Sequence, residues 1–238
     1  MHREDWIKKV TMSSVPLRQL NELRQPIGFA SGCLIDYYGK RIILSVAHAT
    51  GNNGNWVIEI KSKEKVGTQV YQIGAMMFLT VSDINTGKIR DVDLSYASVP
   101  TNLQPYYHDI NEIGQIVNQV PREILNVNFD IEPIKEKKYG FFGQSEFSTT
   151  NFNMLSQSKL VLDLQFVEFE DDYYKFKLPI KHPGHKYFKG TSGAPILDTD
   201  GNIVSLVCKG DDKEDIIYGI ALKKYKSALD IEVGNYIK

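Results

Sequence analysis

Short runs rich in β-branched and aromatic residues recur along the chain, and Tyr-Gly, Asn-Gly and Thr-Gly turn signals separate them. One set of runs occupies residues 27–35, 40–46, 55–62, 68–80 and 92–99. A second set occupies residues 137–144, 159–169, 173–180, 193–198, 202–209 and 215–222. Because no helical pattern alternates with these runs, they favour a β-sandwich or β-barrel over a parallel α/β sheet.

The two sets predict an all-β fold made of two β-barrels. The first barrel is expected at residues 26–105 and the second at residues 137–222. Residues 106–136 are expected to connect them, because the stretch around this segment, 100–133, contains four of the nine prolines. The connection therefore marks the boundary between two domains.

Helix is predicted only near the two ends of the chain. Residues 1–25 are expected to form a helical extension, with the helix near 3–11 or 16–24. A second helix is expected in 223–238, where Tyr225, Ala228 and Leu229 share one face.

Composition limits the classes of function. The chain has 238 residues, 42% of them hydrophobic, which is enough for a substantial core. Its net charge of -1 lacks the basic excess that nucleic-acid binding requires, so no such partner is expected. No apolar run is long enough for a signal peptide or a membrane span, which predicts a cytoplasmic protein without a membrane partner. Cys33 and Cys208 are too few for a disulfide scaffold and are expected to be reduced.

Ser192 lies between two glycines in the stretch KGTSGAPI, residues 189–196, just before a predicted β-hairpin. These residues suit a tight turn between two strands, and they also suit a nucleophile. A serine hydroxyl reacts only with help from a histidine base, a carboxylate that orients the histidine, and donors for the oxyanion. The rest of the sequence offers candidates for these partners.

His48 is the candidate base, because it follows the apolar strand in RIILSVAHAT and lies at the start of a loop. It could also be an ordinary buried histidine at a strand end. Asp93 is the candidate carboxylate, since it begins an alternating strand in RDVDLSYASV and can point inward. Asp91 lies two residues away on the same face and is the alternative.

The remaining histidines lie in polar or proline-bearing contexts. His182 and His185, in the stretch HPGH, raise the question of a zinc site. The Pro-Gly pair prevents a shared helical face, and no cysteine or acidic residue nearby has ligand spacing, so neither a metal nor another cofactor is expected. Cys208 is disfavoured as a nucleophile because it lies in an apolar strand with no histidine close in sequence.

The stretches SVAHAT, DVDLSYASV and KGTSGAPI, in the order His48, Asp93 and Ser192, resemble those of the trypsin-like serine proteases. The resemblance covers most of residues 27–230. It implies two six-stranded antiparallel β-barrels of the chymotrypsin type with short terminal helices. It also implies a serine endopeptidase that works through an acyl-enzyme intermediate.

Two departures from the family pattern refine this expectation. Secreted trypsins have an aspartate before the catalytic serine, whereas this chain has Thr191, so activation by insertion of a new N-terminus is not expected. The family disulfide beside the histidine is also missing, because Cys33 sits at the matching distance while Ala49 follows His48. With DTDGNIVSLVCKG after the motif, the chain looks closer to bacterial glutamyl endopeptidases and heat-shock serine proteases.

The resemblance also implies roles for residues around the serine. The backbone N–H groups of Gly190 and Ser192 would form the oxyanion hole. Val207, Cys208 and Lys209 would form the strand that pairs with an extended peptide. The loop 184–190 would wall the first specificity pocket. Lys186 in this loop would favour a polar or acidic residue before the scissile bond, although glutamyl endopeptidases have a histidine where this chain has Val207.

Other classes of function stay open. The chain could be an inactive, protease-like module that binds peptides, or another serine hydrolase on the same scaffold. A protein or peptide substrate is expected in the protease interpretation. A regulatory partner or an autoinhibited state is also hypothesised, with the N-terminal segment as the gating element unless Trp6, Val10 and Leu17 simply pack on a barrel.

Overall fold

Strands make up most of the computed structural model, which describes residues 1–51, 54–61, 69–82, 86–110, 116–150 and 153–234. For residues 110, 146–150 and 153–156 it describes only the backbone. Its α-helices are α1 (Arg3–Ser13), α2 (Ala47–Thr50), α3 (His185–Phe188) and α4 (Lys226–Glu232). No helix among the described residues is both long enough and apolar enough to cross a bilayer.

The first sheet has the strand order β5-β4-β1-β2-β3-β7-β6 and curls like a barrel. Its strands are β1 (Val15–Leu20), β2 (Pro26–Tyr37), β3 (Lys40–Ser45), β4 (Asn55–Glu59), β5 (Val70–Gln72), β6 (Met77–Ser82) and β7 (Ile89–Val99). In the connection that follows, β8 (Tyr106–Ile110) and β9 (Ile116–Pro121) form a hairpin, and β10 (Leu125–Asn126) runs parallel to β2.

The second sheet is a closed barrel with the strand order β11-β12-β13-β16-β15-β14. Its strands are β11 (Lys138–Thr150), β12 (Asn153–Glu170), β13 (Tyr173–Lys177), β14 (Pro195–Asp198), β15 (Ile203–Asp211) and β16 (Ile216–Ala221). A 3₁₀ turn (Leu222–Tyr225) then leads into α4. The predicted all-β class is confirmed.

The structure differs from the sequence-based expectation in the N-terminal segment. Helix α1 lies where a helix near 3–11 was predicted, but the alternative at 16–24 is wrong, because residues 15–20 form β1. Strand β1 pairs with both β2 and β4, and Val15 and Leu17 are fully buried in it. The first sheet therefore begins before residue 26, and β10 adds a strand from the connection.

The hydrophobic core joins the two sheets and the N-terminal helix. One cluster contains Trp6 and Val10 of α1, Leu44 of β3 and Leu206 of β15. Two further clusters fill the interior of the first sheet and the closed barrel. Because Trp6 is only 2% exposed, α1 is packed as part of this core. A regulatory role for the N-terminal segment stays a prediction, and deletion of the segment cannot test it, because the deletion would also remove core residues.

An ion-pair cluster holds β7 of the first sheet against the closed barrel. Arg90 of β7 donates to both carboxylate oxygens of Asp172, one of them at 2.9 Å, and the Lys224 ammonium lies 2.6 Å from the same carboxylate. Burial alone would raise the pKa of Asp172, but the hydrogen bonds from Arg90 and Lys224 outweigh it and hold the pKa well below its ordinary value. The cluster therefore helps position the strand that carries Asp93.

We expect Asp172→Asn to lower the free energy of unfolding by about 1 to 3 kcal/mol at pH 7, since it leaves Arg90 and Lys224 without their carboxylate. Because the folded-state pKa of Asp172 is depressed, its stabilisation is present above the unfolded pKa of about 4 and is lost as the pH falls. Urea unfolding at pH 7 and pH 3 should show a difference from wild type that shrinks at the lower pH.

The matched control is Asp163→Asn, which breaks an exposed pair with Arg3, in which the side chains are 61% and 36% exposed. That change should cost less than about 1 kcal/mol at either pH. Equal losses for Asp172→Asn and Asp163→Asn would show that the Arg90 cluster does not stabilise the contact between the sheets.

Candidate active site

Ser192, His48 and Asp93 lie in one hydrogen-bonded line at the junction of the two sheets. The Nε2 atom of His48 is 3.0 Å from the Oγ atom of Ser192. Its Nδ1 atom is 2.8 Å from one carboxylate oxygen of Asp93 and 3.0 Å from the other. The structure thus brings the three residues predicted from the sequence together in the geometry of a nucleophile, a base and an orienting carboxylate.

His48 is held in place by both its ring and its backbone. It lies in the short helix α2, which follows β3, and its backbone N–H donates to Asp93 at 3.0 Å. The Thr50 hydroxyl ties the end of α2 to Ser95 of β7 at 2.7 Å. The His48 side chain is 50% exposed, so a substrate in solution can reach the imidazole.

Asp93 is the acidic residue of β7 that contacts His48, and Asp91 is exposed on the same strand. The Asp93 side chain is only 18% exposed. Burial alone would raise the pKa of Asp93, but the hydrogen bonds from the His48 ring and backbone outweigh it and hold the pKa below its ordinary value. Asp93 therefore stays ionised at neutral pH.

Ser192 follows a tight turn that only glycine can make easily. Lys189 has φ -59° and ψ 120°, Gly190 has φ +95°, and the Thr191 N–H donates to the Phe188 carbonyl at 3.0 Å. These values define a type II turn, in which the third residue needs a positive φ. The Gly190-x-Ser192 spacing in the sequence is thus explained by the local backbone.

Two backbone N–H groups, that of Gly190 within this turn and that of Ser192 just after it, are the predicted oxyanion donors. Among the residues that the structure describes, no hydrogen bond is donated by the N–H of Gly190 or of Ser192. The predicted oxyanion donors are therefore available to a ligand beside the Ser192 hydroxyl.

A pocket of about 380 Å³ opens next to Ser192. All four residues predicted to bind substrate, Lys186, Val207, Cys208 and Lys209, line it. His185, Phe188 and Lys189 of the loop 184–190 also line it. The lining further includes residues that the sequence did not single out for this role: His182, Thr191, Gly210 and Ile217. The pocket thus combines an apolar interior with a cationic rim.

His182 forms part of the pocket wall in its neutral state. Burial and the nearby His185 lower its pKa, and its Nδ1 atom accepts the Gly184 N–H at 3.0 Å. The proton of the neutral ring is therefore assigned to Nε2, which has no hydrogen-bond partner among the described residues. The His182 and His185 rings lie 5.6 Å apart, and no cluster suited to a metal occurs in the described part of the chain.

Both cysteines are buried free thiols. Burial raises the pKa of Cys33 and of Cys208, and the Asp93 carboxylate raises that of Cys208 further. Neither is therefore present as a thiolate at neutral pH, which removes them as nucleophiles.

Comparison with solved structures finds the same fold in proteins of very different sequence. A serine endoprotease from Yersinia pestis superimposes with a TM-score of 0.59 at 12% identity, covering 98% of this chain and 67% of that chain. An HL collagenase gives 0.56 at 13% identity, covering 95% and 94%. A protein called GrC gives 0.58 at 11% identity, covering 93% and 94%.

No protein-family model matches the chain. No curated protein matches its sequence either. The likeness therefore establishes a chymotrypsin-like scaffold, which serine proteases share.

Several residues around the site were not apparent from sequence. Ser31 of β2 and Ser45 of β3 are fully buried behind the turn that carries Ser192, and Phe29 packs against Gly190. They lie more than 140 residues before Ser192 in the chain, and FASGC carries no motif of its own. Only the close approach of the first sheet to the turn reveals them.

We expect Gly193→Ala to lower the free energy of unfolding by about 2 to 5 kcal/mol, because its φ of +87° is unfavourable for alanine and its Cβ would overlap a neighbour. That Cβ would lie 2.1 Å from the Ser31 carbonyl oxygen and 2.3 Å from the Ser45 hydroxyl. Urea unfolding measures the loss.

Gly39→Ala is the control, since Gly39 also has a positive φ, +77°, but has nothing within 4 Å of an added Cβ. It should cost only about 1 to 2 kcal/mol. If the two variants are equally stable, the packing of Gly193 against Ser31 is not the constraint inferred here.

Proposed function

We propose that this protein is a serine endopeptidase in which Ser192, His48 and Asp93 are the catalytic triad. The observation that carries the proposal is the continuous line from Ser192 Oγ through both ring nitrogens of His48 to Asp93, with distances of 3.0 and 2.8 Å. The chymotrypsin-like scaffold supports it. No activation by insertion of a new N-terminus is proposed, since Thr191 precedes the serine.

The reaction would proceed in two acyl-transfer steps. His48 takes the Ser192 proton as Oγ attacks a peptide carbonyl, and returns it to the leaving amine. An acyl-enzyme remains, and a water activated by His48 then releases the acid product and frees Ser192. Asp93 accepts the Nδ1–H of His48, which keeps Nε2 facing the serine and stabilises the imidazolium.

The N–H groups of Gly190 and Ser192 would stabilise the negative charge that develops on the substrate carbonyl oxygen. They are fixed by the type II turn before the substrate arrives, so little reorganisation is needed during the reaction. Loss of one donor of this kind typically lowers turnover by about 10²- to 10³-fold.

We expect wild-type protein to react with a fluorophosphonate probe, and Ser192→Ala and His48→Ala to lose the labelling, because only an activated serine attacks phosphorus at a useful rate. Gel fluorescence of the purified, folded variants measures this. Turnover of a peptide substrate should fall about 10⁶-fold in Ser192→Ala. A folded wild type that does not label would contradict the proposal and favour an inactive peptide-binding module.

Asp93→Asn and Asp91→Asn form a matched pair on one strand face. Asp93→Asn should slow turnover by about 10⁴-fold, because the amide favours the wrong tautomer of His48. Asp91→Asn should leave turnover unchanged, since Asp91 is exposed. Equal effects would remove Asp93 from the triad.

An extended peptide would bind along the free edge of β15. Only residues 203–206 of this strand pair with β14, and Lys209 pairs only with β16 among the described strands. The Val207 N–H donates to the Ala194 carbonyl at 2.9 Å and its carbonyl accepts from Gly193 at 2.8 Å, so only main-chain groups beyond Val207 can receive a peptide as an added strand next to Ser192. Of the three residues expected from the sequence, Cys208 and Lys209 are proposed for this pairing, and Val207 contributes to the pocket wall.

We propose that the pocket beside Ser192 prefers an acidic side chain before the scissile bond. Lys186, Lys189 and Lys209 line it, and no carboxylate does among the described residues. Phe188, Val207 and Ile217 offer apolar contact for the side-chain stem. An acidic side chain would therefore place its carboxylate near the lysines and its stem against the apolar residues.

Replacing Lys186 with alanine should reduce the preference for glutamate or aspartate before the cleaved bond by about 3- to 10-fold, since it removes one partly solvated charge. Cleavage of a peptide library by wild type and variant measures the preference. Lys181→Ala is the control, because Lys181 is exposed in the same loop but does not line the pocket. An unchanged profile in Lys186→Ala would exclude this role for Lys186.

A further inference from the structure

Ser31 of the first sheet takes part in four hydrogen bonds, and two of them reach the turn that carries Ser192. Its backbone N–H donates to the Ser192 carbonyl at 3.0 Å, and its own carbonyl accepts from the Ser45 hydroxyl at 2.8 Å. Its Oγ atom lies 2.9 Å from the Gly190 carbonyl oxygen and 2.8 Å from the Gln144 backbone nitrogen. Ser31 is fully buried, so water does not compete for these bonds.

The direction of the Ser31 hydroxyl proton follows from its two partners. The Gln144 backbone N–H can only donate, so Oγ accepts from it. The Gly190 carbonyl can only accept, so the hydroxyl proton points to Gly190. The hydroxyl therefore bridges β11 of the closed barrel and the turn before Ser192 in a single orientation.

The peptide that receives this proton lies between the two candidate oxyanion donors. It joins Gly190 to Thr191, and its N–H donates to the Phe188 carbonyl at 3.0 Å. Its carbonyl accepts from Ser31 at 2.9 Å. Both ends of the peptide are thus held, and neither bond uses the N–H of Gly190 or Ser192.

We infer that Ser31 is a positioning residue that sets the orientation of the oxyanion donors. Its hydroxyl fixes the Gly190 carbonyl, and its N–H fixes the Ser192 carbonyl, so the segment between the two donors cannot rotate. This inference rests on the proposed function. Since misplacement of a reacting group by about 1 Å can cost 10²-fold in rate, a restraint on this segment matters for catalysis.

The test compares wild type with Ser31→Ala, Ser31→Cys and Ser205→Ala by the second-order rate of fluorophosphonate labelling across a pH range. We expect Ser31→Ala to react about tenfold or more slowly, because the donors lose their alignment toward the phosphonyl oxygen. The pH at half-maximal rate should not move, since His48 and Asp93 keep their contacts. Ser31→Cys, with a weaker donor, should fall between Ser31→Ala and wild type.

Ser205→Ala is the control for loss of a buried hydroxyl. Ser205 is also fully buried and donates to the Ile220 carbonyl at 2.8 Å within the closed barrel. It should label at the wild-type rate. When wild type labels, an equal rate for Ser31→Ala would overturn the inference, and so would an equal slowing by Ser205→Ala. Should Ser31→Ala fail to fold, the same comparison is made with Ser31→Cys.

Crystal structures of wild type and the Ser31 variant separate this inference from the proposed function. Absence of labelling in wild type would defeat the protease proposal alone. A Gly190 carbonyl that rotates away in the variant would still support the positioning role. An unchanged Gly190–Thr191 peptide would overturn it, whatever the activity.

Discussion

The site depends on the close contact between Ser31 of the first sheet and the turn that carries Ser192. The Ser31 N–H bonds to the Ser192 carbonyl at 3.0 Å, and an added Cβ on Gly193 would lie 2.1 Å from the Ser31 carbonyl oxygen. Only glycine leaves room for the two backbones to approach this closely. The contact therefore sets the distance between the part of the molecule that carries His48 and the part that carries Ser192.

Each half of the molecule contributes an incomplete site. The first sheet presents His48 at the end of β3 and Asp93 on β7, while the closed barrel presents Ser192 before β14. The shared core and the pair between Arg90 and Asp172 hold β7 against the barrel. Because the three side chains meet across this boundary, small changes in the packing of the two halves alter their hydrogen bonds directly.

Local patterns predicted most of the strands and the three central residues. The prediction of each central residue depended on its neighbours in sequence. An apolar strand precedes His48, an alternating pattern turns Asp93 inward, and glycines shape the turn at Ser192. The choice between Asp93 and Asp91 needed the structure, since both share a strand face. The helix alternative at 16–24 failed because pairing with β2 and β4 determines the strand β1, and that pairing is not local.

The sequence by itself determined the all-β class, the order of the candidate residues and the glycine turn, because these follow from spacing and backbone preference. Tertiary structure alone decided the contacts of Ser31, the place of His182 in the pocket wall, and the packing of α1 into the core. These features join residues far apart in the chain, and their contacts arise only when the two sheets pack. Local sequence patterns determine strands and turns, whereas packing of the two sheets determines which distant residues come into contact.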